Sequence, residues 1–209
     1  MAVDFRVYLI TDRRQAKDGD ILAAVAAALD GGIRAVQLRE KDLGGRELFR
    51  LAEAMRRLTA RYKARLFVND RVDVAYAAGA DGVHLGGGSL PVAEARALLG
   101  DKALIGRSAH GIEELLAAER DGADFATFGP VYATPSKAAY GPPVGVSALA
   151  SACAAATVPV FALGGVGQGN MHETLKAGAF GIALISAVVA AADPRAAALE
   201  LTARFAPGR

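Results

Sequence analysis

A chain of 209 residues that is 53% hydrophobic and 22% charged, with 24 glycines and 8 prolines, fits one compact α/β domain with a large core and excludes a disordered chain. Its 24 basic and 22 acidic residues leave a net charge of +2 with no long basic run, which argues against a nucleic-acid partner.

In chain order, MAVDFRVYLITD has no basic region leading into an apolar one. No later apolar stretch reaches the roughly 18 residues of a membrane span without Gly, Pro or charge, so a cytoplasmic protein with no membrane partner is expected. The first strand candidate, Arg6–Thr11, ends in Thr11-Asp12 and precedes the helical run ILAAVAAALD. The second, Ala35–Glu40, alternates so that Gln37, Arg39 and Lys41 share one face and Leu38 and Glu40 the other. An Arg and a Lys turned toward a barrel mouth call for an anion. They form either a phosphate clamp or ion pairs with neighbouring carboxylates. After RELFRLAEAMRRLTARY, the strand Ala64–Asn69 ends in Asn69-Asp70. Three readings stand for Asp70: a divalent-cation ligand, a partner of Arg39 or Lys41, or a cap for the helix RVDVAYAAGA.

The fourth strand, Gly82–Leu85, runs into Gly86-Gly87-Gly88-Ser89, a loop that leaves space or offers backbone N–H groups, or a tight connection in which Ser89 caps LPVAEARALLG. The fifth, Ala103–Arg107, leads to Ser108-Ala109-His110, where His110 is either an acid/base or a common helix-start residue. IEELLAAERDG follows, then Phe125–Gly129 and the segment Gly129-Pro130-Val131-Tyr132-Ala133-Thr134-Pro135-Ser136-Lys137 with AAYGPPVG behind it, which has the composition of an active-site flap. Cys153 lies in SALASACAAAT and reads as a small apolar residue on a packed helix; a single cysteine excludes an intrachain disulfide. Strand seven, Val158–Leu163, ends in Gly164-Gly165, and strand eight, Gly181–Ser186, ends in Ile185-Ser186, before RAAALELTARF. Backbone amides at these two positions form the recurring phosphate site of (β/α)8 barrels, or simply two tight turns.

The strands are mostly apolar throughout, as parallel strands covered on both faces are. GAD, GAD and GAF recur at 79–81, 122–124 and 178–180, each after a helix and before a strand, where a right-handed crossover turns back. Eight such units with no composition break and no G-x-G-x-x-G after strand one favour a single (β/α)8 TIM barrel over residues 1–209, and disfavour an open doubly wound sheet.

YLITD, VQLREKD, NDRVDVA, ADGVHLG, GRSAH, FGPVYATPSK, ALGGV and ALISA follow one another from Tyr8 to Ala187 in the order and spacing of the thiamine phosphate synthase/TenI family, which the chain resembles. The resemblance implies a TIM barrel working in thiamine biosynthesis, often as a homodimer. Two activities occur in that family. The synthase couples hydroxymethylpyrimidine pyrophosphate to thiazole phosphate with Mg2+. The TenI-type thiazole tautomerase needs no cofactor and isomerises a thiazole phosphate carboxylate with a histidine as acid/base. By resemblance, Gln37, Arg39, Lys41, Asn69 and Lys137 match the pyrimidine-pyrophosphate residues, Ser108 the pyrimidine contact and Asp70 the first Mg2+ ligand. Thr134, Ser136, Gly165, Ile185 and Ser186 match the thiazole-phosphate pocket of both activities.

The departure is Ser89, where synthases carry the second Mg2+ carboxylate; losing it weakens a site for an octahedral, carboxylate-seeking ion. The expectation is therefore a metal-free tautomerase. In it, phosphate rests on the amides of Gly164, Gly165 and Ser186, Arg39 or Lys41 pairs with the substrate carboxylate, and His110 shuttles the proton. The alternatives are a Mg2+-dependent synthase using Asp70, and a non-catalytic regulator that binds thiazole phosphate.

Overall fold

The computed structural model describes residues 2–134 and 142–205. Among them eight strands, β1 (Val7–Ile10), β2 (Ala35–Leu38), β3 (Arg65–Asn69), β4 (Gly82–Leu85), β5 (Leu104–Ala109), β6 (Phe125–Phe128), β7 (Val160–Leu163) and β8 (Gly181–Leu184), form a closed barrel in sequence order. Every pairing whose register is resolved is parallel, as in Tyr8 opposite Ala35 and Phe161 opposite Gly181. The helices are α1 (Ile21–Asp30), α2 (Gly45–Arg61), α3 (Val72–Ala77), α4 (Val92–Leu99), α5 (Ile112–Arg120), α6 (Gly145–Ala155), α7 (Met171–Lys176), α8 (Ser186–Val189) and α9 (Pro194–Ala203). The predicted (β/α)8 fold is the fold observed. No described helix is long and apolar enough to cross a membrane.

Strands β1, β2, β4, β6 and β8 are buried at every position, because parallel strands covered on both faces have no solvent side on which to alternate. Two of the expected strands stop two residues early. β2 ends at Leu38 because the next ladder donor, the Arg39 N–H, is taken by the Thr11 hydroxyl at 2.9 Å. β8 ends at Leu184, and Ser186 begins α8 instead of closing a strand.

The chain clusters into two compact units. In the one formed by Phe5–Val83 and the chain from Leu184 onward, Phe5, Tyr8 and Phe67 make a buried aromatic cluster with ring centroids 5.3–5.6 Å apart. There α9 docks on the end of α1 at Gly31. A Cβ at that position would stand 2.5 Å from the Arg195 carbonyl oxygen, and the Gly31 carbonyl accepts from the Thr202 hydroxyl at 2.8 Å. In the unit formed mainly by His84–Ala183, Phe125 packs edge-on against Phe161, and Phe161 against Phe180, at 5.6 Å each. Cys153 sits half-buried on α6, and burial pushes its thiol up to about 11, which keeps it in the unreactive protonated form at neutral pH.

The recurring GAD triplets serve the N-terminal ends of strands. Gly79 and Gly122 turn the chain with positive φ after their helices. The Asp81 carboxylate then accepts the N–H of Leu66 at 2.8 Å and a guanidinium N–H of Arg56 at 2.5 Å, while the Asp81 N–H donates to the Leu66 carbonyl. Asp124 repeats the arrangement, with Ile105 N–H at 2.7 Å and Arg96 at 2.6 Å. In the third triplet Phe180 keeps the backbone bond, to Val160, but replaces the carboxylate with a ring on Phe161. Replacing Asp124 by Ala strands the Ile105 N–H and removes the ion pair of Arg96, whose guanidinium keeps only backbone carbonyls. It is expected to lower the unfolding free energy by about 1–3 kcal/mol, seen as a reduced urea midpoint at unchanged slope; a wild-type midpoint would remove the carboxylate from this role.

Candidate functional site at the strand C-terminal ends

At the C-terminal ends of β1 and β2 the dominant group is one that the period-two reading put on the outer face. Glu40 is 5% exposed. It accepts the Thr11 hydroxyl at 2.7 Å, the Arg13 N–H at 3.1 and 3.2 Å on its two oxygens, and the Arg13 guanidinium at 3.2 Å. Arg39 is half-buried and Lys41 exposed, so the expected alternation of Gln37, Arg39 and Lys41 is corrected: it lapses where β2 ends at Leu38. Gln37 alone of the three lies inside, 1% exposed, and its amide donates to the Tyr8 hydroxyl at 3.2 Å. Burial raises the Tyr8 phenol well above its ordinary range, which keeps it a neutral partner. Among the described residues neither Arg39 nor Lys41 has a carboxylate within ion-pair distance. The ion-pair alternative for these two cations is thereby set aside.

At the end of β3, Asp70 adopts a left-handed backbone, φ 61°, beneath a tight turn in which the Arg71 N–H donates to the Asn69 carbonyl at 2.7 Å. Its carboxylate accepts the Asn69 side-chain amide at 2.8 Å. The next helix, α3, is capped at Arg71 with no side-chain cap bond, so the capping reading of Asp70 is corrected, as is its pairing with Arg39 or Lys41. A non-glycine residue held in this conformation at a strand end is a common mark of a working site.

At the ends of β4, β5 and β6 three polar side chains meet. His84, 2% exposed, places Nε2 3.0 Å from the Ser108 hydroxyl and 3.3 Å from that of Thr127. The ring lies over Gly106, where a Cβ would come within 2.6 Å of Nδ1. Sequence reading selected Ser108 but neither His84 nor Thr127; a polar pair inside otherwise apolar strands was the available signal. Ser89 accepts the Gly86 N–H at 2.5 Å instead of capping α4, which begins after Pro91 without a side-chain cap, and Arg107 donates to the Gly86 carbonyl. His110 precedes α5, its N–H bonded to Glu114 at 2.8 Å. Its Nδ1 faces the Gly129 carbonyl, which only accepts, so a neutral ring carries its proton on Nδ1 and presents Nε2 as a base.

The β6 and β7 loops are locked together. The N–H groups of Val131 and Tyr132 donate to the carbonyls of Leu163 and Gly164 at 2.8 and 3.0 Å. The Tyr132 hydroxyl donates to Glu173 at 2.7 Å, and burial followed by this bond holds its phenol up at about 12. Gly164 and Gly165 have φ of 90° and 65°, and a Cβ on them would meet Pro130 at 2.5 Å and Tyr132 at 2.7 Å. Among the described residues their two N–H groups have no acceptor, as the phosphate reading requires. Thr134 is half-buried at the edge of this loop; Ser136 and Lys137 lie outside the described residues. Ile185 is half-buried, and the exposed Ser186 opens the four-residue α8.

Hydroxyls, amides and cations at the C-terminal ends of a (β/α)8 barrel define the class of protein: a barrel whose polar groups stand where enzymes of this fold keep their sites. The model of the thiamine monophosphate synthase (TMP-TENI) family matches residues 7–188. A Geobacter sulfurreducens protein with a provisional thiamine-phosphate synthase name is 60% identical over 98% of this chain and 96% of its own length. The thiamine-phosphate synthase of Chloroflexus aurantiacus is 45% identical over 96% and 93%. A solved thiamine phosphate pyrophosphorylase from Pyrococcus furiosus superposes with a TM-score of 0.87 at 39% identity, over 95% of this chain and 94% of that one. The chain belongs to the thiamine monophosphate synthase family.

An added methyl at Gly164 meets both Pro130 and a left-handed backbone, so Gly164→Ala is expected to destabilise the fold by about 1–3 kcal/mol. Thermal unfolding checks this, and an unchanged midpoint would mean that the β6 and β7 loops are not in close contact there.

Proposed function

We propose that this protein is a thiamine-phosphate synthase, a transferase joining hydroxymethylpyrimidine pyrophosphate to thiazole phosphate. The observation that carries this reading is that Arg39 and Lys41 have no carboxylate at ion-pair distance among the described residues, at the end of a strand paired with the one that ends in Asn69 and precedes Asp70. A departing pyrophosphate concentrates negative charge, and two cations without a described carboxylate partner offset that charge as it develops. The names of close relatives support the synthase over the tautomerase that Ser89 had suggested.

In this reading the methylene carbon–oxygen bond of the pyrimidine substrate breaks, its electron pair leaving with pyrophosphate. The thiazole nitrogen lone pair then forms the new carbon–nitrogen bond. Arg39 and Lys41 hold the pyrophosphate, Gln37 and Ser108 contact the pyrimidine, and the N–H groups of Gly164 and Gly165, with Thr134 and Ser186, hold the thiazole phosphate. Ser136 and Lys137 join these two groups by resemblance alone. Among the described residues no three His, Cys, Asp or Glu side chains form a metal cluster. One carboxylate, Asp70, together with substrate phosphate oxygens and water nevertheless fits Mg2+, which binds through one or two carboxylates and supplies charge to a phosphate leaving group.

One observation favours the tautomerase as second reading: the exposed His110, whose Nδ1 faces the Gly129 carbonyl and leaves Nε2 turned to other partners. The purified protein is expected to form thiamine phosphate from the two substrates with Mg2+ and to lose that activity in EDTA. No coupling under either condition, with the thiazole phosphate carboxylate still isomerised, overturns the synthase. Arg39→Ala is expected to raise KM for the pyrimidine pyrophosphate by about tenfold to a hundredfold, the loss of a charged hydrogen-bond donor. His110→Asn separates the readings: a synthase keeps coupling activity, whereas a tautomerase loses about two to four decades in rate.

A further inference from the structure

The residues Arg39-Glu40-Lys41-Asp42 alternate in charge, so the segment contains two carboxylates able to cancel its two cations. They do not, because Arg13 from the loop after β1 occupies both and Arg14 adds to Asp42. The Arg13 guanidinium meets Asp42 in a two-pronged contact, Nη1 at 2.6 Å from one oxygen and Nη2 at 2.8 Å from the other, and Nη1 also lies 3.2 Å from Glu40. Arg14 adds a contact to Asp42 at 2.8 Å. Arg13 is the stronger holder: its side chain is 30% exposed against 71% for Arg14, and exposed pairs contribute little. Arg13 holds the Asp42 carboxyl well below the usual carboxylate range.

We propose that Arg13, assisted by Arg14, is a positioning residue that sequesters Asp42 and Glu40 so that Arg39 and Lys41 stay available to a substrate diphosphate. The inference rests on the reading of Arg39 and Lys41 as the pyrophosphate clamp. The two carboxylates differ in what they do when Arg13 is lost. Glu40 is buried and still holds the Thr11 hydroxyl and the Arg13 backbone N–H, so it stays in place. Asp42 is 37% exposed, keeps only the exposed Arg14, and is able to swing onto Lys41 or Arg39.

The test is titration of the full chain with inorganic pyrophosphate by calorimetry, with thermal unfolding run on each variant. Arg13→Gln is expected to weaken pyrophosphate binding by about tenfold, and Arg13→Gln combined with Asp42→Asn to recover most of that loss, because the competing anion is gone. A merely structural arginine would show no such recovery, so a double variant as weak as Arg13→Gln overturns the proposal. Unchanged binding in Arg13→Gln also overturns it and leaves the clamp standing. A wild-type chain that does not bind pyrophosphate, or binding indifferent to Arg39→Ala with Lys41→Ala, overturns the clamp and the proposal together. Should Arg13→Gln not fold, Arg13→Lys, which keeps the charge without the two-pronged geometry, enters the same comparison with and without Asp42→Asn.

Discussion

A parallel strand covered on both faces has no surface on which to leave a polar side chain, and the arrangement of this chain follows from that constraint. Polar groups are displaced to the strand termini, and each displaced charge must find a partner there or face water. Glu40 shows the rule at its most severe. It sits almost fully buried just past β2, tolerable only because hydroxyl, backbone and guanidinium donors from the β1 side converge on it. One of them, the Thr11 hydroxyl, also accepts the Arg39 N–H, and β2 ends there.

The two ends of the strands handle their charges differently. At the N-terminal ends, Asp81 and Asp124 are saturated by a strand N–H and an arginine from the preceding helix, a closed arrangement whose consequence is stability. At the C-terminal ends, Arg39, Lys41 and the N–H groups of Gly164 and Gly165 lack partners among the described residues. Donors without a protein partner at strand C-terminal ends are what an anionic ligand would engage.

Glycine in the β6 and β7 loops does two things at once. Gly164 and Gly165 let Pro130 and Tyr132 pack directly against the β7 turn. That packing turns the glycine carbonyls toward the β6 loop and the Asn170 side chain, leaving the N–H groups without acceptors among the described residues. The tight-turn reading and the anion-site reading of these residues are therefore compatible, since the turn is what exposes the amides.

The amino-acid sequence by itself determined the fold. Strand runs, helix periods and the GAD turns located all eight strands to within two residues at either end, because local apolar pattern and turn chemistry suffice for parallel βα units. It also led to the family and to most candidate residues, which cluster at strand ends in recognisable runs. Only the tertiary structure decided that Glu40 and not Arg39 is the buried group, that Ser89 folds onto Gly86, that α3 has no side-chain cap, and that His84 and Thr127 meet Ser108. Each of these depends on a partner brought from a different strand or loop, as Thr11 and Arg13 are brought 27–29 residues along the chain to Glu40. Alternation along one strand carries no information about where that strand's hydrogen-bond ladder ends; the neighbouring strand decides it.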